Sequence, residues 1–126
     1  MGSPFFAIID DDEALRSSLA DLMRYMGYRT ESFASAEALL TWRNLALFDV
    51  MIADVHMPRM SGLDLVRKLR EMDVMTPVIL ITALPDRQLD NEAISVGAQS
   101  LLRKPFETKA LLDCAARSLP SERPPR

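Results

Sequence analysis

Asp10, Asp11 and Asp54, with Thr82 and Lys104, are the side chains of this sequence best suited to chemistry. Each follows a short apolar run. Phe5–Ile9 leads into Asp10 and Asp11, Val50–Ala53 into Asp54, Val78–Ile81 into Thr82, and Leu101–Leu102 into Arg103 and Lys104. A hard cation such as Mg²⁺ takes oxygen ligands in octahedral geometry and keeps several waters, and Asp10, Asp11 and Asp54 offer those oxygens. Aspartate can also be a nucleophile, forming an aspartyl-phosphate. Asp54 is the candidate, because it is followed by Val55-His56-Met57-Pro58 and not by a helix that it could cap. Lys104 would neutralise charge on a phosphoryl group, and the Thr82 hydroxyl and the Ala83 N–H would donate hydrogen bonds to it. Alone, Thr82 is an ordinary β-branched strand end and Lys104 a solvated lysine before a proline. Their joint placement carries the reading.

Apolar runs without polar alternation are what strands buried on both faces look like, which points to a parallel sheet covered by helices. Ligands of such sheets bind outside the carboxyl ends of the strands, where all the residues above would converge. Between the runs lie helical periods. Leu15, Leu19, Leu22 and Met26 form one stripe that ends at Gly27, with Asp12 and Glu13 suited to the positive end of the helix. Tyr28–Phe33 reads as a more polar edge strand, and Ser35 as the N-cap of a helix carrying Leu39 and Leu40. Ser61-Gly62-Leu63-Asp64 has the form of a capping box and opens a helix with Leu65, Leu69 and Met72 on one stripe. Asp86–Val96 has a thin apolar face of Leu89, Ala93 and Val96 before a stop at Gly97, so it should be the most loosely held helix. Glu107–Leu119 closes the series with Leu112, Ala115 and Leu119 inward. Five strands alternating with five helices predict an α/β doubly wound sheet.

The chain of 126 residues has room for one domain. Its boundaries are expected at residues 5–119, with 1–4 an N-terminal extension or tag remnant and 120–126 (PSERPPR) a linker to an absent output domain. A formal charge of −3 gives no basic footprint for nucleic acid, and no apolar stretch reaches the length of a membrane span. The single Cys114 forms no internal disulfide, compatible with a reducing cytoplasm, and reads as a small core hydrophobe. The ring of His56, the only histidine, is expected to be a bystander. Its backbone carbonyl, two residues past Asp54, is the better metal ligand. Arg16 and Arg24 read as a solvated helix face.

The motifs Ile9-Asp10-Asp11, Asp54-Val55-His56-Met57-Pro58 with Ser61-Gly62, Ile81-Thr82-Ala83 and Lys104-Pro105-Phe106, in this order, resemble the receiver domain of bacterial two-component response regulators. Ser35-Ala36-Glu37 and Arg59-Met60-Ser61-Gly62 look most like FixJ-type receivers, which usually precede a LuxR-type helix-turn-helix domain. The resemblance implies a flavodoxin-like sheet of order 2-1-3-4-5. It implies Asp54 as the phosphoacceptor of a sensor histidine kinase, and Mg²⁺ held by Asp11, Asp54 and the His56 carbonyl, with Asp10 acting through water. It further implies a phosphoryl group contacted by Lys104 and by the backbone of Val55 and Ala83, and Thr82 as a switch. Such a domain is a regulatory phosphoacceptor that catalyses only its own phosphorylation and dephosphorylation. Phosphorylation would change the face built from Asp86–Val96, Leu101–Lys104 and Glu107–Leu119, favouring a homodimer and controlling transcription through DNA bound by another domain. One position departs from the family: the usual Tyr or Phe three residues before the lysine is Leu101, which has no ring to swing inward.

A haloacid-dehalogenase-type phosphohydrolase is the rival enzyme. Asp10-Asp11-Asp12-Glu13-Ala14 supplies the two aspartates of its Asp-x-Asp-x-Thr pattern but not the last position. A pseudo-receiver that only binds protein is the third reading.

Overall fold

The computed structural model describes residues 3–119; both the 1–2 end of the expected N-terminal extension and the expected linker at 120–126 lie outside that range. Within it, five strands form one parallel sheet of order β2-β1-β3-β4-β5. They are β1 (Phe5–Ile9), β2 (Arg29–Phe33), β3 (Val50–Asp54), β4 (Val78–Thr82) and β5 (Ser100–Arg103). The helices are α1 (Glu13–Tyr25), α2 (Ala36–Leu40), α3 (Gly62–Glu71), α4 (Gln88–Val96) and α5 (Thr108–Ser118), with a short 3₁₀ turn at Leu45–Leu47. The architecture is the one the sequence predicts, and the strand order is the one the resemblance implies.

Successive strand residues point to opposite faces, and here both faces are apolar. Ala7, Ile9, Met51, Ala53 and Leu80 join the core beneath α2, α3 and α4. Phe6, Ile8, Val50, Ile52, Ile79 and Ile81 join a second core beneath α1 and α5. Every residue of β3 and β4 is buried, whereas β2, at the edge, is mostly exposed or half-buried.

Three helix faces differ in phase from the expected stripes. In α1 the buried residues are Leu19, Ala20 and Met23, while Met26 is the C-cap and stays exposed. Met72 likewise caps α3 and is exposed, and Val66 completes that helix's buried face. In α5 the inward set is Leu111, Cys114, Ala115 and Ser118, with Leu112 and Leu119 only half-buried. Ser118 goes inward because its hydroxyl donates to the Cys114 carbonyl at 2.8 Å, which satisfies a buried polar group within the helix. Helix α4 begins at Gln88, two residues later than expected, because the Asp86 carboxylate accepts the Gln88 N–H at 2.9 Å and holds a turn ahead of it. It buries only Leu89 and Ala93, and ends on Gly97 in the left-handed region at φ 94°.

The capping box at Ser61 and Asp64 is present in both directions, at 3.1 Å each way. It sets α3 against the end of β3 so closely that a Cβ on Gly62 would lie 2.5 Å from the Asp54 carbonyl oxygen and 3.0 Å from Val55 Cα. Backbone cannot yield as a flexible side chain would. Gly62→Ala is therefore expected to cost about 1–3 kcal/mol of stability in urea denaturation, as overpacking does. A gain in stability, as Gly→Ala gives at an open helical position, would show that α3 can move away.

Candidate functional site

All the strand-end residues singled out above meet at the carboxyl edge of the sheet. Asp10, at the end of β1, is 1% exposed, and Asp54, at the end of β3, is 9% exposed. With the exposed Asp11 they present carboxylate oxygens within 4.8 Å of one another. One Asp10 oxygen accepts the Asp12 N–H at 2.9 Å; the other is buried with no protein partner. Burial raises the pKa of Asp10, as do the neighbouring charges of Asp54 and Asp11, against the Asp12 N–H and Lys104. Burial also raises that of Asp54, opposed by Lys104 and the His56 N–H. A cluster of hard oxygens, with the pKa values of Asp10 and Asp54 raised and one buried oxygen unpartnered, fits a divalent cation such as Mg²⁺.

Asp12 is separate from the cluster: its side chain caps α1 by accepting from Leu15 N–H at 3.2 Å. Across the cleft, Thr82 ends β4 fully buried. Lys104 follows β5, its N–H donating to the Thr82 carbonyl at 2.8 Å and its peptide bond to Pro105 cis. Its ammonium is near enough to favour the ionised forms of both Asp10 and Asp54.

Two backbone donors differ from expectation. The Val55 N–H donates to the Ile81 carbonyl at 2.8 Å and is thus spent in the sheet. The N–H that faces the Asp54 carboxylate is that of His56, at 3.3 Å. A parallel ladder engages alternate N–H groups, and Val55 continues the ladder of β3, which leaves the His56 N–H facing the carboxylate.

Three side chains do more than their sequence context indicates. The His56 ring is no bystander: Nε2 lies 3.1 Å from Thr82 Oγ1, which also accepts the Leu84 N–H at 3.1 Å. The direction of the first bond depends on the imidazole tautomer. Arg16 is half-buried and donates to the Asp10 carbonyl at 2.7 Å, bracing the end of β1 from the first turns of α1, whereas Arg24 pairs with Asp21 on the exposed face. Arg103 donates to the carbonyls of Leu84 and Asp86 and to Asp90. The Arg16 contact spans six residues within one strand–helix junction, whereas the other two depend on geometry between elements with no local signature. The motifs around Glu37 and Arg59 also meet, as an ion pair of 3.4 Å, with Arg59 in the left-handed region at φ 67°. Leu101 lines a cavity of about 250 Å³ beside Ala93 and Ile94 of α4.

Strand order and strand-end chemistry together define a doubly wound phosphoacceptor module. The response regulator receiver domain family matches residues 6–116, and the chain belongs to that family. It is 39% identical over 105 residues to the response regulator protein TodT of Pseudomonas putida, covering 83% of this chain and 46% of TodT. It is 34% identical over 111 residues to the transcriptional regulatory protein FixJ of Rhizobium meliloti, covering 88% and 54%. Among solved structures, the crystal structure of FixJ-N superposes with a TM-score of 0.84 at 33% identity, covering 94% of each chain. The chemotaxis protein CheY4 of Vibrio cholerae does so with a TM-score of 0.82 at 30% identity, covering 94% of this chain and all of the other. The chain spans about half the length of the curated relatives it matches. It is a receiver domain of the two-component response regulators, a phosphoacceptor switch of FixJ type. No helix among the described residues is long and apolar enough to cross a membrane.

Proposed function

We propose that Asp54 accepts a phosphoryl group from the phosphohistidine of a sensor kinase and that Thr82 reports its arrival to the α4-β5-α5 face. The observation that carries this is the convergence of Asp10, Asp11 and Asp54 within 4.8 Å, with one buried carboxylate oxygen unpartnered. An Asp54 oxygen attacks phosphorus, the P–N bond breaks, and the imidazole leaves with its electron pair and takes up a proton. Asp11, Asp54 and the His56 carbonyl would hold Mg²⁺, with Asp10 acting through water. Bound there, the ion neutralises the carboxylates and the phosphoryl oxygens. Lys104 neutralises the same oxygens from the other side. The N–H groups of His56 and Ala83 donate to them, and the Thr82 hydroxyl turns from His56 and Leu84 to do the same.

The hydrolase reading is disfavoured by Asp12, the second aspartate of its pattern, which is engaged as a helix cap. A small-molecule phosphodonor such as acetyl phosphate, with Mg²⁺, separates the readings. Stable label at one phosphoryl per chain is the expected result; multiple turnover would mean a hydrolase, and no reaction a pseudo-receiver. Lys104→Ala should keep Mg²⁺ binding and slow labelling.

The proposed output is transcription, because FixJ is by name a transcriptional regulator. With a net charge of −3, this segment is not expected to bind DNA, which would be the task of a further domain. Phosphorylation would favour a homodimer through the α4-β5-α5 face. With Leu101 in place of a ring, the shift should be modest, which sedimentation with and without beryllofluoride would measure.

A further inference from the structure

The loop from Ala83 to Arg87 joins β4 to α4, and one side chain of β5 holds the loop at two points and α4 at a third. Arg103 Nε donates to the Leu84 carbonyl at 3.1 Å, Nη2 to the Asp86 carbonyl at 2.6 Å, and Nη1 to the Asp90 carboxylate at 3.0 Å. The first two acceptors lie in the loop and the third in the first turn of α4. Leu84 is the junction. Its N–H donates to Thr82 Oγ1 at 3.1 Å while its carbonyl accepts from Arg103. Arg103 is also the ladder partner of Thr82. A continuous set of bonds thus runs from His56 through Thr82, Leu84 and Arg103 to Asp90, bypassing Leu101.

We propose that Arg103 is the residue that couples Thr82 to α4 in this receiver, in place of the aromatic ring absent at Leu101. The inference rests on Thr82 being the switch proposed above. When the Thr82 hydroxyl turns to a phosphoryl group, the Leu84 N–H loses its acceptor and the backbone dihedrals of Leu84 are free to change. The Leu84 carbonyl, in the next peptide unit, then leaves Arg103. A guanidinium presents its donors in a rigid fork, so loss of one acceptor disturbs the alignment of the other two. The Asp90 end of α4 is released in turn. Little opposes that release. Helix α4 buries only Leu89 and Ala93, its N-cap makes no side-chain bond, and an open cavity of about 360 Å³ lies between Pro85, Arg87, Asp90 and Arg103. The clamp therefore sets the balance between held and released α4, and a ligand at Asp54 shifts it only through differential stabilisation of the released form.

The test is hydrogen–deuterium exchange of residues 84–96 with and without beryllofluoride and Mg²⁺, alongside acetyl-phosphate labelling of Asp54. The wild type should exchange faster across 84–96 when beryllofluoride is bound. Arg103→Ala without beryllofluoride should exchange about tenfold faster there, consistent with the loss of a few partly exposed hydrogen bonds. Its further response to beryllofluoride should fall below half of the wild-type change, while labelling stays within about twofold because the chemistry at Asp54 does not use Arg103. Arg103→Lys should not restore the response, since an ammonium cannot span three separate acceptors, and Asp90→Asn should give a partial effect. Wild-type exchange and response in Arg103→Ala would overturn the clamp alone. So would faster exchange throughout the chain, which marks a merely structural residue, or lost labelling in an otherwise intact variant. A wild type indifferent to beryllofluoride would overturn both the clamp and the Thr82 switch.

Discussion

Asp54→Asn is expected to reduce phosphoryl incorporation to background while leaving the fold intact. The amide fills the volume of the carboxylate and can still accept the His56 N–H that reaches Asp54 at 3.3 Å, but it is a poor nucleophile. Loss of an essential nucleophile typically removes several orders of magnitude in rate. The same change removes a charge that burial penalises, so the apo variant should melt above the wild type at neutral pH. Calorimetry and labelled phosphodonor on one preparation check both parts. Label recovered elsewhere in the Asn variant would move the acceptor to another residue, and a lowered melting temperature would mean that the Asp54 charge is better compensated than its burial implies.

Removing the charge at Asp10 should have the largest effect on stability in the opposite sense from most core substitutions. Burial, then the charges of Asp54 and Asp11, raise the Asp10 pKa above the usual carboxylate value. A group that holds its proton more tightly folded than unfolded releases it on unfolding: the folded state binds more protons, so stability falls as pH rises from the unfolded pKa through the folded one. Wild-type stability should therefore decline from about pH 4 upward, where unfolded carboxylates ionise. Asp10→Asn should flatten that decline and raise the neutral-pH melting temperature by about 4 °C for each kcal/mol relieved. Millimolar Mg²⁺ should raise the wild-type melting temperature by binding only the folded state, and do so less in the variant. A variant with the wild-type pH profile would show that its buried oxygen finds a partner in solution.

The parts of this molecule that were legible in its sequence are those fixed by local pattern. Unalternating runs such as Val78–Ile81 point to strands covered on both faces, and strand ends in such a sheet converge, so Asp10, Asp54, Thr82 and Lys104 fall together. Helix phase was less legible where a polar residue takes an inward position. Ser118 looks like a surface residue until its hydroxyl is seen bonded to the Cys114 carbonyl, and discounting it rotates the α5 stripe toward Leu112. The contacts of His56 and Arg103 were not legible. Each joins residues 13 to 26 positions apart in different elements, through rotamers that no spacing rule specifies. Val55 misled for a related reason: a residue next to the acceptor looks available until the ladder claims its N–H.

The two apolar layers of the sheet have a consequence for how such a domain can change over evolutionary time. Helices α1 and α5 sit on one layer and α2, α3 and α4 on the other, and the strands share no inward-facing side chain between them. Substitutions under α4 are separated from α1 by the sheet itself. A lineage could retune how readily α4 is released, through Arg103, Asp90 or Leu101, while the surface offered by α1 stays as it was. The two faces can then diversify separately, with the strand-end carboxylates lying where the layers meet.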